Sequence, residues 1–416
     1  MRRHVVLPVL AAVGIALATA SPGEAAAPSV SAQAQAANAA FLAYAPPPAT
    51  GAGALCLVDT GVDVNPDTQQ ELVSATAVDE GSGNDVDPNG HGTTMAMIAG
   101  AAGKGMIGAW PQIKIVSVRA TTAPTPGEEP TFEFDDYVYG MNECSTLQRT
   151  YRIDAIDLAL SSTIPPSPDQ AQDFANAVGV AHGQNVAVLA AAGNQPGAAG
   201  QPAAQPGVFA VGASTAQADK LSPTAVGSPC NFSATQGLTF YAPGCGLDQA
   251  DPFSDQPTCC GNGTSQASAF TAAVIVAMMS YDPTLSYAAA EQLLVSTATD
   301  GNLNVTAAFQ AAGLGAIVTQ GNANIPKRAP STSTSKPAAH VVVRVARWRD
   351  GRFTLTVSGL AEDRLNIELE YKHSHPRRLS TQRATITIRT PRPRLVLLRV
   401  MEDHKQLGRT ITVDPT

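Results

Sequence analysis

The chain has 416 residues, with 26 Lys and Arg against 34 Asp and Glu, for a formal charge of −8. Hydrophobic residues at 44% and charged residues at 14% exclude a wholly disordered chain, and the length is that of two or three domains. The charge is unevenly held: residues 1–318 carry 8 Lys and Arg against 26 Asp and Glu, net −18, and residues 319–416 carry 18 against 8, net +10. That asymmetry points to separate domains and fits a basic module with an anionic partner.

In chain order, residues 1–27 read as a secretory signal peptide: Arg2-Arg3, an apolar run from Val5 to Ala18, then small residues. The run is shorter than the roughly 20 residues a membrane span needs, so a secreted, extracytoplasmic protein with no transmembrane segment after signal removal is expected. Residues 28–50 are Ala/Pro-rich and predict a short flexible segment. Over 51–318, apolar runs at 54–58, 113–118, 155–160, 185–190 and 207–212 predict strands. Stretches at 94–102, 134–149 and 169–182 between them predict helices, and the alternation predicts a doubly wound α/β parallel sheet. Residues 266–280 are apolar all round, as a helix buried inside a domain would be. Residues 319–339 form a Pro/Ser/Thr-rich linker. Beyond it, six short runs of period two within 340–416 predict a small basic all-β, sandwich-like domain.

All six cysteines lie before residue 319, and an even count in an exported chain predicts disulfides. Cys245 with Cys259 or Cys260 is the expected pair, while Cys56, in an apolar run, reads as a buried thiol. The acidic stretch 79–87 has oxygens enough for Ca²⁺ but matches no ligand spacing, so it reads as a solvated loop. Structural Ca²⁺ therefore has no motif behind it, and no cofactor is expected to be required.

Three segments carry chemistry. Leu57-Val58-Asp59-Thr60-Gly61 puts an acid at the end of a predicted strand. It could equally be a turn, or one half of an aspartic protease whose second acid is not visible. Asn89-Gly90-His91-Gly92 sets a histidine between glycines at the opening of a helix. Of the histidines before residue 319, His4 leaves with the signal and His182 reads as a charged cap at a helix end, which leaves His91 as the candidate base. Asn262-Gly263-Thr264-Ser265 places a serine at the start of the buried helix, where backbone N–H groups favour developing negative charge. Alone, that serine would be an ordinary N-cap.

Taken together, Asp59, His91 and Ser265 follow the acid–base–nucleophile order of subtilisins, and residues 54–318 resemble a subtilisin-like serine protease domain, a subtilase. Ala191-Ala192-Gly193-Asn194 resembles the family segment whose asparagine donates to the oxyanion, so the resemblance gives Asn194 that role. The stretch from Gly200 to Ala213 resembles the next segment, with Gly200 at the floor of the primary specificity pocket. Asn231-Phe232-Ser233 and Tyr241-Ala242-Pro243-Gly244 match the approach to the nucleophile. The resemblance implies a catalytic set of Asp59, His91, Ser265 and Asn194, with polypeptide substrate held by Ala159, Leu160, Ser161, Gly193 and Gly200.

The sequence also departs from the family. Ala269 stands where proline is usual, and Ala159-Leu160-Ser161 replaces Ser-Leu-Gly, which implies a narrower subsite beside Ser161. The two dozen residues between the signal and the catalytic domain are too few for a substantial pro-domain. Two other readings are a catalytically silent subtilase that binds or adheres through its basic C-terminal domain, and an acid-acting sedolisin type. The intact set Asp59, His91, Asn194 and Ser265 disfavours the first, and His91 with Asn194 disfavours the second. In the tail, the arginines (among them Arg377, Arg378, Arg389, Arg392 and Arg394) fit an anionic envelope polymer or an intramolecular contact, and equally an arginine-decorated face with no partner. Aromatic residues are too few there for nucleic acid to be expected.

Overall fold

A computed structural model describes residues 30–77, 87, 89–103, 105–121, 133–218, 224–252 and 257–326, and eight strands between 342 and 413. The signal stretch, most of the acidic 79–87 loop and the rest of the linker region from 327 lie outside the described residues. The chain divides into two compact units, Met1–Pro326 and Lys327–Thr416.

Eight strands form the sheet of the first unit: β1 Ala54–Asp59, β2 Leu72–Ala77, β3 Lys114–Arg119, β4 Ile153–Leu158, β5 Ala187–Ala191, β6 Phe209–Thr215, β7 Phe240–Ala250 and β8 Pro257–Asn262. Their order is β2-β3-β1-β4-β5-β6-β7-β8, parallel throughout except for β8, which returns antiparallel to β7. The helices are α1 Ala32–Ala36, α2 His91–Gly100, α3 Phe134–Tyr151, α4 Pro168–Gly183, α5 Thr264–Tyr281, α6 Tyr287–Ser296, α7 Val305–Ala311 and α8 Gly315–Asn324.

Both faces of the sheet are covered, so its central strands are apolar on each side. In β1, Leu55 and Leu57 join the core shared with α2 and α5, whereas Ala54, Cys56 and Val58 join the core shared with α3 and α4. Helix α5 has no polar face because it crosses the first of these cores, with all but Gln266 and Tyr281 buried. Gly140 lets α3 lie flush on β1, since a Cβ there would run into the methyls of Val58.

The five predicted strands of this unit all form, within two residues of where the pattern puts their starts. Strands β2, β7 and β8 and helices α6–α8 go beyond the prediction. So does the chain before β1. The segment expected to be flexible instead folds into α1, capped by the Ser31 hydroxyl, and a 3-10 turn at Ala40–Tyr44 that buries Phe41 and Leu42. Phe41 meets Phe309 edge to face at 5.1 Å, Val305 N–H donates to Ala37 O, and Asn324 Nδ2 donates to Tyr44 O. A Cβ on Gly321 would strike the Phe41 carbonyl, so α8 packs directly on this turn. Because α8 continues to Asn324, the expected linker start at 319 falls inside a helix.

Two disulfides also differ from expectation. Cys56 is no free thiol: it bonds Cys144 and ties β1 to α3. Cys245 pairs with Cys230 and not with Cys259 or Cys260, because the β7–β8 register sets Cys245 opposite Asn262 and Cys259 opposite Asp248. The side chains of Cys259 and Cys260 lie outside the described residues. His182 lies in the last turn of α4, as expected. It stacks on Tyr287 at 4.3 Å, and burial lowers its basicity.

In the second unit, strands Val342–Val345, Arg352–Ser358 and Thr385–Arg389 pair antiparallel in one sheet. Strands Leu365–Tyr371, Ser374–Thr381, Val396–Glu402, Lys405–Gln406 and Ile411–Val413 pair antiparallel in another.

Candidate active site

The site forms where β1, β4 and β5 end and α2 and α5 begin, the place where open parallel sheets take ligands. Asp59 is the last residue of β1 and has no exposed surface. His91 is the first residue of α2, and Gly90 before it adopts the left-handed conformation at φ 88°. Gly92 is required here because a Cβ would collide with the carbonyl of Gly61; without one, α2 settles directly over the end of β1.

That approach brings His91 Nδ1 to 2.8 Å from Asp59 Oδ1, which also accepts the Thr60 N–H at 2.7 Å. Asp59 Oδ2 has no partner among the described residues. The loop that presents His91 is gathered by Asp87, a residue sequence reasoning read only as part of an acidic loop. Asp87 Oδ1 accepts from Thr60 Oγ1 and from the Asn89 and Gly90 N–H groups, and Oδ2 accepts from Thr93. Burial is the largest influence on His91 and lowers its basicity. The charge and hydrogen bond of Asp59, with the charges of Asp87 and Asp157, outweigh it and hold the imidazole above the ordinary histidine value. The side chain still keeps 30% of its surface open to a substrate.

Ser265 is the second residue of α5, almost buried, with its N–H among the first-turn groups that have no intrahelical acceptor. Asn194 follows β5. Its Oδ1 accepts from the N–H (2.8 Å) and the hydroxyl (3.0 Å) of Thr264, which turns the amide Nδ2 outward. Thr264 Oγ1 in turn accepts the Gly193 N–H. Gly263 is extended (φ 169°), so glycine serves here for space: a Cβ would meet Gln266 and lie 3.7 Å from Asn194 Nδ2. Helices α2 and α5 pack on each other.

The other candidate residues gather around Ser161. The β4 exit runs from buried Ala159 through half-buried Leu160 to exposed Ser161. Ser162 and Gln201 exchange two backbone hydrogen bonds, which ties this exit to the Gly200 segment. The open sides of Gly193 and Gly200 both face Ser161 Oγ, the first at 3.0 Å from where its Cβ would be. A hydroxyl therefore stands between the two glycine walls.

One further carboxyl lies beneath this arrangement. Asp157 in β4 is fully buried, and its Oδ1 accepts a short hydrogen bond from Ser268 Oγ, one turn into α5. It lies within the run 155–160, which the sequence presents as an apolar strand.

Residues 52–315 match the family model described as the subtilase family, peptidase S8. Subtilisin DY of Bacillus licheniformis is 27% identical over 270 residues, covering 61% of this chain and 89% of that protein. A subtilisin-like protease of Coccidioides posadasii is 30% identical over 173 residues, covering 40% of each chain. Among solved structures, the fold is shared with MycP1 with its N-terminal propeptide removed (19% identity, TM-score 0.54, covering 67% of this chain and 96% of that one). It is shared too with subtilase cytotoxin SubAB (17% identity, TM-score 0.55, covering 70% and 97%).

Proposed function

The chain belongs to the subtilase family, and on that premise we propose that it is a secreted serine endopeptidase working through Asp59, His91 and Ser265, with Asn194 and the Ser265 N–H as oxyanion donors. The observation that carries this reading is the 2.8 Å contact between Asp59 and His91 at the start of a helix packed against the one that carries Ser265 in its first turn.

In this mechanism His91 takes the Ser265 proton as Oγ attacks the scissile carbonyl. Asp59 receives the Nδ1–H, which fixes the tautomer that leaves Nε2 free and stabilises the imidazolium. The oxyanion lies against the Ser265 N–H and Asn194 Nδ2. Expulsion of the amine, protonated by His91, leaves an acyl-enzyme that water cleaves by the same steps reversed. Every proton has a side chain to hold it, so the chemistry calls for no cofactor. Substrate backbone runs along Ala159–Ser161 and Gly193, with the first side chain entering beside Gly200. Ser161 favours a small or hydrogen-bonding group there.

Asn194→Ala is expected to lower kcat by about 10²–10³ with KM nearly unchanged, a magnitude taken from the corresponding asparagine of subtilisin. Steady-state kinetics on a peptide amide check it; a fall in affinity alone would remove Asn194 from the oxyanion role.

Export belongs to the same proposal, supported by the N-terminal Arg2-Arg3 and apolar pattern and by the two disulfides. Among the described residues, no helix is long and apolar enough to cross a membrane. The arginine-rich C-terminal unit is proposed as a sandwich-like module for an anionic envelope polymer. The deciding experiment is a fluorophosphonate probe: it should label one residue, Ser265, and the protein should cleave casein near neutral pH. A protein that takes no label would return the chain to the catalytically silent reading.

A further inference from the structure

The carboxyl of Asp157 lies where substrate does not reach, yet it is joined to the elements that carry the chemistry. Its neighbours can be taken element by element. From α5 the facing group is the Ser268 hydroxyl, three residues and almost one turn beyond Ser265. From β1, Leu57 is its register partner, so Asp59 ends the adjacent strand two residues further on. Arg119 of β3 is in turn the register partner of Asp59. From α2 the nearby group is His91, whose charge acts on Asp157 as that of Asp157 acts on His91. Strand β5 offers only Ala187, Val188, Leu189, Ala190 and Ala191, and α3 packs on the opposite sheet face. Asp157 Oδ2 has no partner among the described residues. The carboxyl therefore sits between the acid strand and the nucleophile helix with one hydrogen bond and half its acceptors unused.

We propose that Asp157 is a positioning residue of the peptidase site, fixing the first turn of α5 through Ser268 and setting the charge beneath the Asp59–His91 pair. The proposal rests on the peptidase reading above and deepens it. The physical reason is that a hydrogen bond one turn below a nucleophile holds the start of its helix against the opposite strand, and small displacements there cost turnover more than affinity.

Its charge state follows from the surroundings. Burial pushes the Asp157 carboxyl up to about 8; the Ser268 hydrogen bond opposes this, the Asp59 charge adds to it, and the His91 charge opposes it. Near neutral pH Asp157 thus holds a proton. The two groups are coupled: where Asp157 ionises, toward about 8, its charge favours a protonated His91, which a neutral amide cannot do. Folding feels the same proton. The folded chain keeps it over the interval from about 4 to about 8, where the unfolded chain has lost it, so stability present in acid is lost as pH rises through that interval.

The test compares the full-length parent with Asp157→Asn and Asp157→Ala, each also labelled with fluorophosphonate. Asp157→Asn keeps an acceptor for Ser268 but cannot ionise. As pH rises through about 8 the parent's Asp157 ionises, so the alkaline side of its kcat/KM profile should carry an inflection that Asp157→Asn lacks. The thermal midpoint of Asp157→Asn should fall less between pH 5 and pH 8. Asp157→Ala loses the acceptor as well, and its kcat should lie at least about tenfold below that of Asp157→Asn with KM within about twofold. Superposed profiles and parallel thermal curves for the parent and Asp157→Asn overturn the proposal, as does an alanine variant matching the asparagine one. Should Asp157→Ala not fold, the asparagine curves decide. A parent that takes no label fails the peptidase reading itself, whereas a parent that labels but shares the Asp157→Asn curves fails this proposal alone.

Discussion

Replacing Ser265 by alanine is expected to lower turnover by about 10⁶ while leaving the fold in place, a magnitude measured for the corresponding serine of subtilisin and carried over here. The loss is that large because the other parts of the site cannot compensate for it. His91 has no second acceptor–nucleophile pair to serve, and Asn194 stabilises an oxyanion that only serine attack creates. The fold should be indifferent, since alanine at the second position of α5 keeps helix propensity and removes one nearly buried hydroxyl. Residual hydrolysis of roughly 10³–10⁴ over water should persist from binding and the oxyanion donors. Near-full activity in Ser265→Ala, measured on a peptide amide with thermal stability unchanged, would remove the proposed mechanism.

The second large effect concerns stability. Removing the Cys56–Cys144 bridge with a Cys56→Ala/Cys144→Ala pair is expected to cost about 4–5 kcal/mol by the loop-closure argument for 88 residues of separation. The Cys230–Cys245 loop of 15 residues is worth about 3 kcal/mol on the same argument, so the longer bridge should dominate. Against a total of about 5–15 kcal/mol, that is a large share. Both residues are fully buried, and Cys56 stands three positions before Asp59 on β1, so the loss should also loosen the strand that presents the acid. Denaturant titration of the parent and the double variant reads the difference from the shift in midpoint. A change below about 1 kcal/mol would mean that the bridge contributes little.

Much of the site was legible because its residues sit at element ends, where sequence punctuation is strongest. Asp59 closes an apolar run, His91 stands between two glycines and Ser265 follows one. Each glycine has a spatial reason to be there, so the motif and the packing say the same thing. Helix α5 was legible for a related reason: a helix with no polar side has only one place to go. What stayed hidden depended on pairing between distant segments. Strand β7 contains Pro243, Gly244 and Gly246, residues that weaken a strand pattern, yet it extends over eleven residues because β6 and β8 hold it on both sides. The disulfide partner of Cys245 could not be told by spacing, since Cys230 and Cys260 stand equally far from it and only the β7–β8 register separates them. Asp157 and Asp87 were missed because an acid's role depends on what faces it. One faces a serine 111 positions later, and the other a set of loop amides.

The folded segment before β1 matters for the proposed activity. A peptidase meets its own surface at a higher concentration than any other substrate, and its cleft takes extended backbone. An alanine- and proline-rich stretch left loose would be ready autolytic bait. Here residues 31–44 are coiled into a helix and a 3-10 turn and held against α7 and α8, with Tyr44 and Asn324 joined across 280 positions. In that form the stretch presents no extended strand to a neighbouring copy, which would spare a peptidase self-digestion at the point where its sequence looks most vulnerable.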